Sequence, residues 1–265
     1  MIKIENVEIG GWEAAIRGMR NPMNSWDKSD SGYEVLNQLD VELGYTPDIE
    51  FVIGKNDLKL MRNLVKAGND HSKFARMINV TMDVTAPRMW FFEFDTYKVG
   101  TVSNSCSTMY TIHKKPFERS DFSAGYIGKV IQKFDNETVF QMKNLQEKGF
   151  TIEQIASNFG CSNSTVSRIL NGKTYVPVKD TLDCIIDDLN TLREFYLETG
   201  DKTYWRQIIE LLPQSYNQTR TIQLNYQVAK SMYHARKNHK LDEWKEFCKW
   251  IESLPYADAL ITSEE

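Results

Sequence analysis

A chain of 265 residues with 41% hydrophobic content is long enough to bury one large core or two modest ones. A net charge of −4 and a pI near 5.7 exclude nucleic-acid binding by overall charge, so any DNA contact must be local. Four cysteines, Cys106, Cys161, Cys184 and Cys248, stand far apart without a C-x-x-C pair, and the four histidines do not join them at ligand spacing, so neither a disulfide framework nor a metal site is expected.

Met1 to Val7 alternates as a strand does and lacks the apolar core of a signal peptide, and no apolar run is long enough to span a membrane; a cytoplasmic location is expected. Lys3 to Ile9 predicts a strand, turned by Gly10-Gly11 into a short helix from Trp12 to Met19. Asn21 to Gly32, rich in Asn, Ser, Asp and Gly, predicts a loop, and Tyr33 to Leu43 a helix. Asn56 can cap the next helix, in which Leu58, Leu60, Met61, Leu64 and Val65 recur at helical spacing until Gly68 stops it. Met77 to Val84 alternates Met, Ile and Val with Asn and Thr, the pattern of a strand.

Pro87 suits the first turn of a helix, where its missing N–H would be unpaired anyway, and Trp90, Phe91, Phe92 and Phe94 make that helix a buried one. It should end near Val99-Gly100. Thr101 to Tyr110 is then expected as a loop whose small hydroxyl and amide side chains bond their own backbone and offer donors to a bound anion or heterocycle.

The next informative block runs from 136 to 179. Asn136 to Lys148 predicts a first helix, and Thr151 caps a second one expected to bury Ile152, Ile155, Ala156 and Phe159. Gly160 makes the turn, and Ser162 caps a third helix expected to bury Val166, Ile169 and Leu170. That leaves Asn163, Ser164, Thr165, Ser167 and Arg168 outward, short hydrogen-bonding side chains plus an arginine, which is the inventory that reads base edges in a major groove. Lys143, Lys148, Arg168, Lys173 and Lys179 stand against Glu137, Glu147 and Glu153, so the block is locally basic in an acidic chain. It resembles the helix-turn-helix of bacterial and phage regulators, which implies double-stranded DNA as a partner. The plain structural alternative is a helical insertion for packing or oligomerisation.

Asp180 to Glu198 repeats Leu182, Ile185, Ile186, Leu189, Leu192, Phe195 and Tyr196 at helical spacing, and Gly200 ends it. Trp205 to Leu212 predicts another helix, broken by Pro213, and Asn225 to Arg236 lies on a further one.

Gly68 to Tyr110 resembles the core of the flavin-dependent thymidylate synthases, whose pattern is His-Ser/Thr-x-Phe-Glu-His, a strand, an Ala-Pro helix, Arg-His-Arg-x-x-Ser and Ser-x-Arg-Tyr. In those places stand His71-Ser72-Lys73-Phe74-Ala75-Arg76, Thr96-Tyr97-Lys98-Val99-Gly100-Thr101 and Ser107-Thr108-Met109-Tyr110. His71, Ser72, Phe74, Lys98, Thr101, Ser107 and Tyr110 keep identity or character, while the outer arginines and the central histidine are replaced. Leu212-Pro213, Asn225 and Arg236 are similar to the family's Leu-Pro and its asparagine eleven residues before an arginine, and Glu243-Trp244-Lys245-Glu246-Phe247 to its closing Gln-Trp-Glu-Ile helix.

The resemblance implies an α+β fold, a mixed sheet with long helices in two parts, 1–125 and 179–265, with a small all-α helix-turn-helix domain, 135–178, inserted. It implies a homo-oligomer, a tetramer in the family, that methylates C5 of dUMP to dTMP with FAD as cofactor and NADPH and methylenetetrahydrofolate as co-substrates. By the same resemblance FAD is expected at His71, Ser72, Lys98, Thr101 and Asn225, with Ser25 or Ser29 as the loop serine near the flavin. The nucleotide dUMP is expected at Arg236, Lys98, Ser107, Tyr110 and Arg206, the last in place of a family arginine at Ile209, and Arg236 would also polarise the ring as the catalytic group. Lys98 keeps a positive point charge without the planar two-pronged contact of a guanidinium. Each residue also has a plain reading, His71 as a turn residue and Arg236 as a surface helix arginine. A competing functional reading is a scaffold without catalysis, or with altered C5 chemistry, serving a DNA-binding regulator that senses a pyrimidine nucleotide.

Overall fold

The computed structural model describes residues 2–36, 42, 46, 49–126, 134–172 and 181–263. In chain order its regular elements are β1 (Lys3–Gly10), α1 (Trp12–Arg20), β2 (Gly32–Val35), β3 (Ile49–Val52), α2 (Lys55–Lys66), β4 (Asn79–Pro87), α3 (Arg88–Phe94), β5 (Thr101–Ser105) and α4 (Thr108–Thr111). There follow α5 (Asn136–Glu147), α6 (Ile152–Asn158), α7 (Asn163–Leu170), α8 (Thr181–Thr199), α9 (Lys202–Leu211), β6 (Asn217–Asn225), α10 (Tyr226–Arg236), α11 (Asp242–Glu252) and α12 (Ala257–Leu260). The chain divides into one unit of residues 1–112 with 213–265 and a second of residues 113–212. The fold is α+β with a small helical module, and among the described residues no helix is long and apolar enough to cross a membrane.

The first unit is organised by β4. Its alternation puts Val80, Met82, Val84 and Ala86 on one face, all fully buried, and Thr81, Asp83 and Thr85 on the other. β4 pairs with β6 along its whole length, from Asn79 opposite Asn225 to Pro87 opposite Asn217, so Ile222 and Leu224 of β6 join the buried face. The larger sheet has the order β1-β4-β6-β5, β2 pairs with β3 in a smaller one, and among the described residues every pairing is antiparallel, which replaces the mixed sheet expected from sequence. Against the apolar face pack Trp90, Phe91 and Phe94 of α3, Tyr226 and Met232 of α10, and Trp244 and Phe247 of α11. Each such side chain contributes about 1.5–3 kcal/mol by leaving water. The polar face satisfies itself laterally, Asp83 accepting from Asn6 Nδ2 at 2.8 Å and Thr221 Oγ1 at 2.6 Å, and Thr85 bonding Thr219 at 2.7 Å.

Three elements differ from expectation for identifiable reasons. The helix expected from Tyr33 begins instead as strand β2, because Tyr33 and Val35 pair across to β3, with the Tyr33 and Phe51 rings edge to face at 5.2 Å. Of the rest of that expected helix, residues 37–41 and 43 lie outside the described residues. α3 stops at Phe94, short of Val99, because Thr96 turns its hydroxyl onto the Glu93 carbonyl (2.7 Å) and so competes with the helix. Thr101 to Ser105, expected as loop, is strand β5: its backbone is taken up by the edge of β6, from Thr101 opposite Leu224 to Ser105 opposite Arg220. β6 itself was not anticipated from sequence.

The loop 21–32 is held by a buried ion pair. Arg20 and Asp57, 5% and 0% exposed, meet at 2.6 Å, and Asp57 also accepts from Ser29 Oγ (2.6 Å), Ser31 Oγ (2.7 Å) and the Asp30 N–H (3.2 Å). Arg20 donates onward to the carbonyls of Ser25 (3.1 Å) and Lys28 (2.9 Å). Gly11, at φ +91°, makes the turn from β1 into α1; a Cβ there would lie 2.0 Å from the Met77 carbonyl oxygen.

In the second unit α5, α6 and α7 enclose their own small core of Met142, Ile155, Ala156, Val166 and Ile169. Thr151 and Gln154 form a reciprocal cap at the start of α6, Gly160 adopts φ +59°, and Ser162 accepts the Thr165 N–H at the start of α7. Of the side chains expected in this core, Ile152 is 39% exposed and Phe159 and Leu170 are half-buried; a core this small closes with the five named above. Residues 173–178 of the expected module lie outside the described residues. α8 holds the segment after α4, Asn190 bonding both backbone groups of Phe117 (2.8 and 3.0 Å), and Gly200 turns the chain into α9.

Candidate functional site

Arg236 ends α10, and α3 and α11 meet it there. Its Nε donates to Tyr97 Oη at 3.0 Å and its Nη1 to Glu93 Oε2 at 2.8 Å, while the guanidinium lies 5.0 Å from the Trp244 ring and 5.7 Å from the Tyr97 ring. Trp244 Nε1 donates to the same Glu93 oxygen at 2.9 Å, and His239 Nε2 stands 3.2 Å from it. His239 Nδ1 accepts the Leu241 N–H (3.2 Å), so in the neutral ring the proton sits on Nε2, the nitrogen beside Glu93. The cluster is half open, with Arg236 20%, His239 23% and Glu93 33% exposed. Nearby Cys248 is a neutral thiol: burial first, then the charge of Glu252, pushes its pKa up to about 11 against a smaller pull from Arg236. The cluster therefore offers a fixed cation, a fixed carboxylate and aromatic faces.

A second group of the expected residues gathers at the other end of α10, about 16 Å away for eleven residues of helix. Asn225 caps the helix, its Oδ1 accepting the Val228 N–H at 3.0 Å, and leaves Nδ2 without a partner among the described residues. Gly100, at φ +83°, comes so close that a Cβ would meet Val228 Cγ2 at 2.9 Å and Asn225 Nδ2 at 3.0 Å. Ser72 is buried and bonds Gln227 (3.2 Å), which also reaches Asn69 (2.9 Å). Thr101 donates to the Tyr97 carbonyl at 2.5 Å. His71 and Lys98 are exposed, as is Tyr110 at 77%, and Ser107 is half-buried. Arg206 lies in the second unit, where it pairs with Glu210 at 2.7 Å. Ser25 and Ser29 belong to the Arg20–Asp57 network.

Glu93, Tyr97, His239 and Trp244 were not read from sequence as site residues. One signal was available: Glu93 is the single carboxylate inside an aromatic run, and a charge placed there needs partners.

On α7, Asn163, Ser164 and Arg168 are exposed, and Thr165 and Ser167 are half-buried. Ser162 Oγ bridges Ser164 (2.9 Å) and Thr165 (2.8 Å), and Asn171 reaches back to Ser167. Arg168 has no ion-pair partner among the described residues.

Residues 132–173 match the helix-turn-helix domain of resolvase. Over its whole length the chain has the fold of two solved structures. One is thymidylate synthase X (ThyX) from Helicobacter pylori with FAD and dUMP, at 14% identity, 99% of this chain and 98% of that chain, with a TM-score of 0.56. The other is the UMP/dUMP methylase PolB from Streptomyces cacaoi bound with 5-Br dUMP, at 12% identity, 98% of this chain and 91% of that chain, with a TM-score of 0.53. By sequence, no curated protein matches the chain.

Proposed function

We propose that the first unit binds a pyrimidine nucleotide and methylates C5 of dUMP to give dTMP, with FAD, NADPH and methylenetetrahydrofolate, and that the helix-turn-helix binds double-stranded DNA. The observation that carries the nucleotide reading is Arg236, held by Tyr97 and Glu93 at the end of α10 with Nη2 unengaged by any described residue. It is a preorganised donor beside aromatic faces, which suits a polar heterocycle. Among the residues expected at FAD, His71, Lys98 and Asn225 Nδ2 keep donors unengaged by any described residue and suit its phosphates, whereas Ser72 and Thr101 bond within the fold. Bound reduced flavin would supply the hydride and methylenetetrahydrofolate the carbon; the chain's own residues would orient the pyrimidine and polarise it through Arg236. A cytoplasmic homo-oligomer, a tetramer, is part of the same reading.

The decisive measurement is the visible absorbance spectrum of the purified protein, with and without added FAD. Flavin bands that persist through gel filtration support the reading. A colourless protein that takes up no FAD removes the methylation chemistry. The second reading, a regulator that senses a pyrimidine nucleotide, is favoured by Thr96, Lys98 and Met109 standing where the family pattern has arginines. It requires DNA affinity that changes when nucleotide is added.

A further inference from the structure

Two hydrogen bonds and one imidazole nitrogen converge on one oxygen of Glu93. Arg236 Nη1, Trp244 Nε1 and His239 Nε2 lie 2.8, 2.9 and 3.2 Å from Oε2, and no described residue donates to Oε1. The carboxylate cannot rotate without breaking both hydrogen bonds and leaving His239, so Oε1 is a fixed site that only accepts. Beside it Arg236 is fixed through Nε and Nη1, which leaves Nη2 as a site that only donates. A ligand that satisfies both must present an N–H next to a hydrogen-bond acceptor.

We infer that Glu93 is the specificity-determining residue of the pyrimidine site: Oε1 accepts the N3–H of a uracil ring while Nη2 of Arg236 donates to the adjacent carbonyl oxygen. This rests on the proposal that the first unit binds a pyrimidine nucleotide. Uracil carries a proton on N3. Cytosine carries a lone pair there, beside the same O2 carbonyl, and would face the carboxylate acceptor to acceptor. Such a mismatch leaves two desolvated acceptors opposed, which costs more than the lost bond alone.

Glu93→Gln sharpens the argument. The amide oxygen must remain on the two donors, Arg236 Nη1 and Trp244 Nε1, so the NH2 group takes the place of Oε1 and an acceptor becomes a donor. That donor fits cytosine N3 and opposes uracil N3–H. The experiment is calorimetric titration of the full chain, wild type and Glu93→Gln, with dUMP, dCMP and N3-methyl-dUMP, circular dichroism reporting the fold of the variant. Wild type should bind dUMP about 10- to 100-fold more tightly than either other nucleotide, and Glu93→Gln should shift the dUMP to dCMP ratio toward dCMP by a similar factor. Wild type that binds dUMP and dCMP equally overturns the role of Glu93 and leaves the nucleotide site standing. Wild type that binds no pyrimidine nucleotide overturns both. If the variant does not fold, the three nucleotides on wild type decide alone.

Discussion

Replacing Asp57 should unfasten the loop between α1 and β2 and destabilise the first unit. Asp57 is fully buried, pairs with Arg20 at 2.6 Å, and accepts from Ser29, Ser31 and the Asp30 N–H. Asp57→Ala leaves the Arg20 guanidinium, 5% exposed, without its counter-charge. Breaking one side of a buried pair costs about 3–5 kcal/mol, which lowers the Tm by roughly 6–20 °C in a unit of this size. Burial pushes the Asp57 carboxyl up, but the bonds from Ser29, Ser31 and Arg20, with the Arg20 charge, outweigh it and hold the group below the usual carboxylate range. A depressed folded pKa means the stabilisation is complete above the unfolded value of about 3.9 and is lost as pH falls from there through the folded value. Urea titrations monitored by circular dichroism between neutral pH and pH 3 should therefore show wild type losing stability below about pH 4 more steeply than Asp57→Asn, which has no proton to take up. A Tm within 2 °C of wild type for Asp57→Ala would refute the claim that this pair fastens the loop.

Gly11→Ala should cost about 2 kcal/mol or more, seen as a lower urea midpoint, because the new Cβ meets the Met77 carbonyl in a left-handed backbone; an unchanged midpoint would show the turn can relax. Lys98→Ala should weaken nucleotide or FAD binding by about 1.5–3 kcal/mol in calorimetry with no change in Tm, since Lys98 is exposed, and an unchanged affinity would remove it from the site. Arg168→Ala should weaken DNA binding by about 1–3 kcal/mol at unchanged Tm, whereas Val166→Asp should unfold the module; mobility shifts over a salt series read both, and intact protein that retains no DNA at low salt would end the DNA reading.

What was legible in the sequence follows from how local its causes are. β4 declared itself because Val80, Met82 and Val84 alternate with Thr81 and Asp83 within one strand. The helix-turn-helix did so because its caps, Thr151 with Gln154 and Ser162 with Thr165, are three residues apart and Gly160 marks the turn between them. β6 carries only Ile222 and Leu224 as apolar residues, and its first half, Asn217 to Thr221, is polar; it is a strand because β4 and β5 flank it on both sides, a cause found nowhere in its own residues. The site divides in the same way. Arg236 and Asn225 were expected through the family resemblance alone, whereas the Glu93 cluster joins residues 143 and 151 positions apart, and no local pattern announces such a meeting.

That division also bears on the two functional readings. The helix-turn-helix closes its core with five of its own side chains, and among the described residues the Glu93 cluster draws on α3, α10, α11 and the turns beside them, so the residues that would recognise DNA and those that would recognise a nucleotide do not overlap. Substitutions confined to one set are therefore expected to leave the other activity intact at saturating ligand, because residues with no shared partners act additively. An effect of nucleotide on DNA affinity would then be a true coupling between sites, and by reciprocity DNA must change nucleotide affinity by the same factor. If nucleotide changes DNA affinity in wild type, Arg236→Ala should abolish that change without altering DNA affinity in the absence of nucleotide. A variant whose DNA affinity still responds to nucleotide would place the sensing group elsewhere and detach the regulator reading from this cluster.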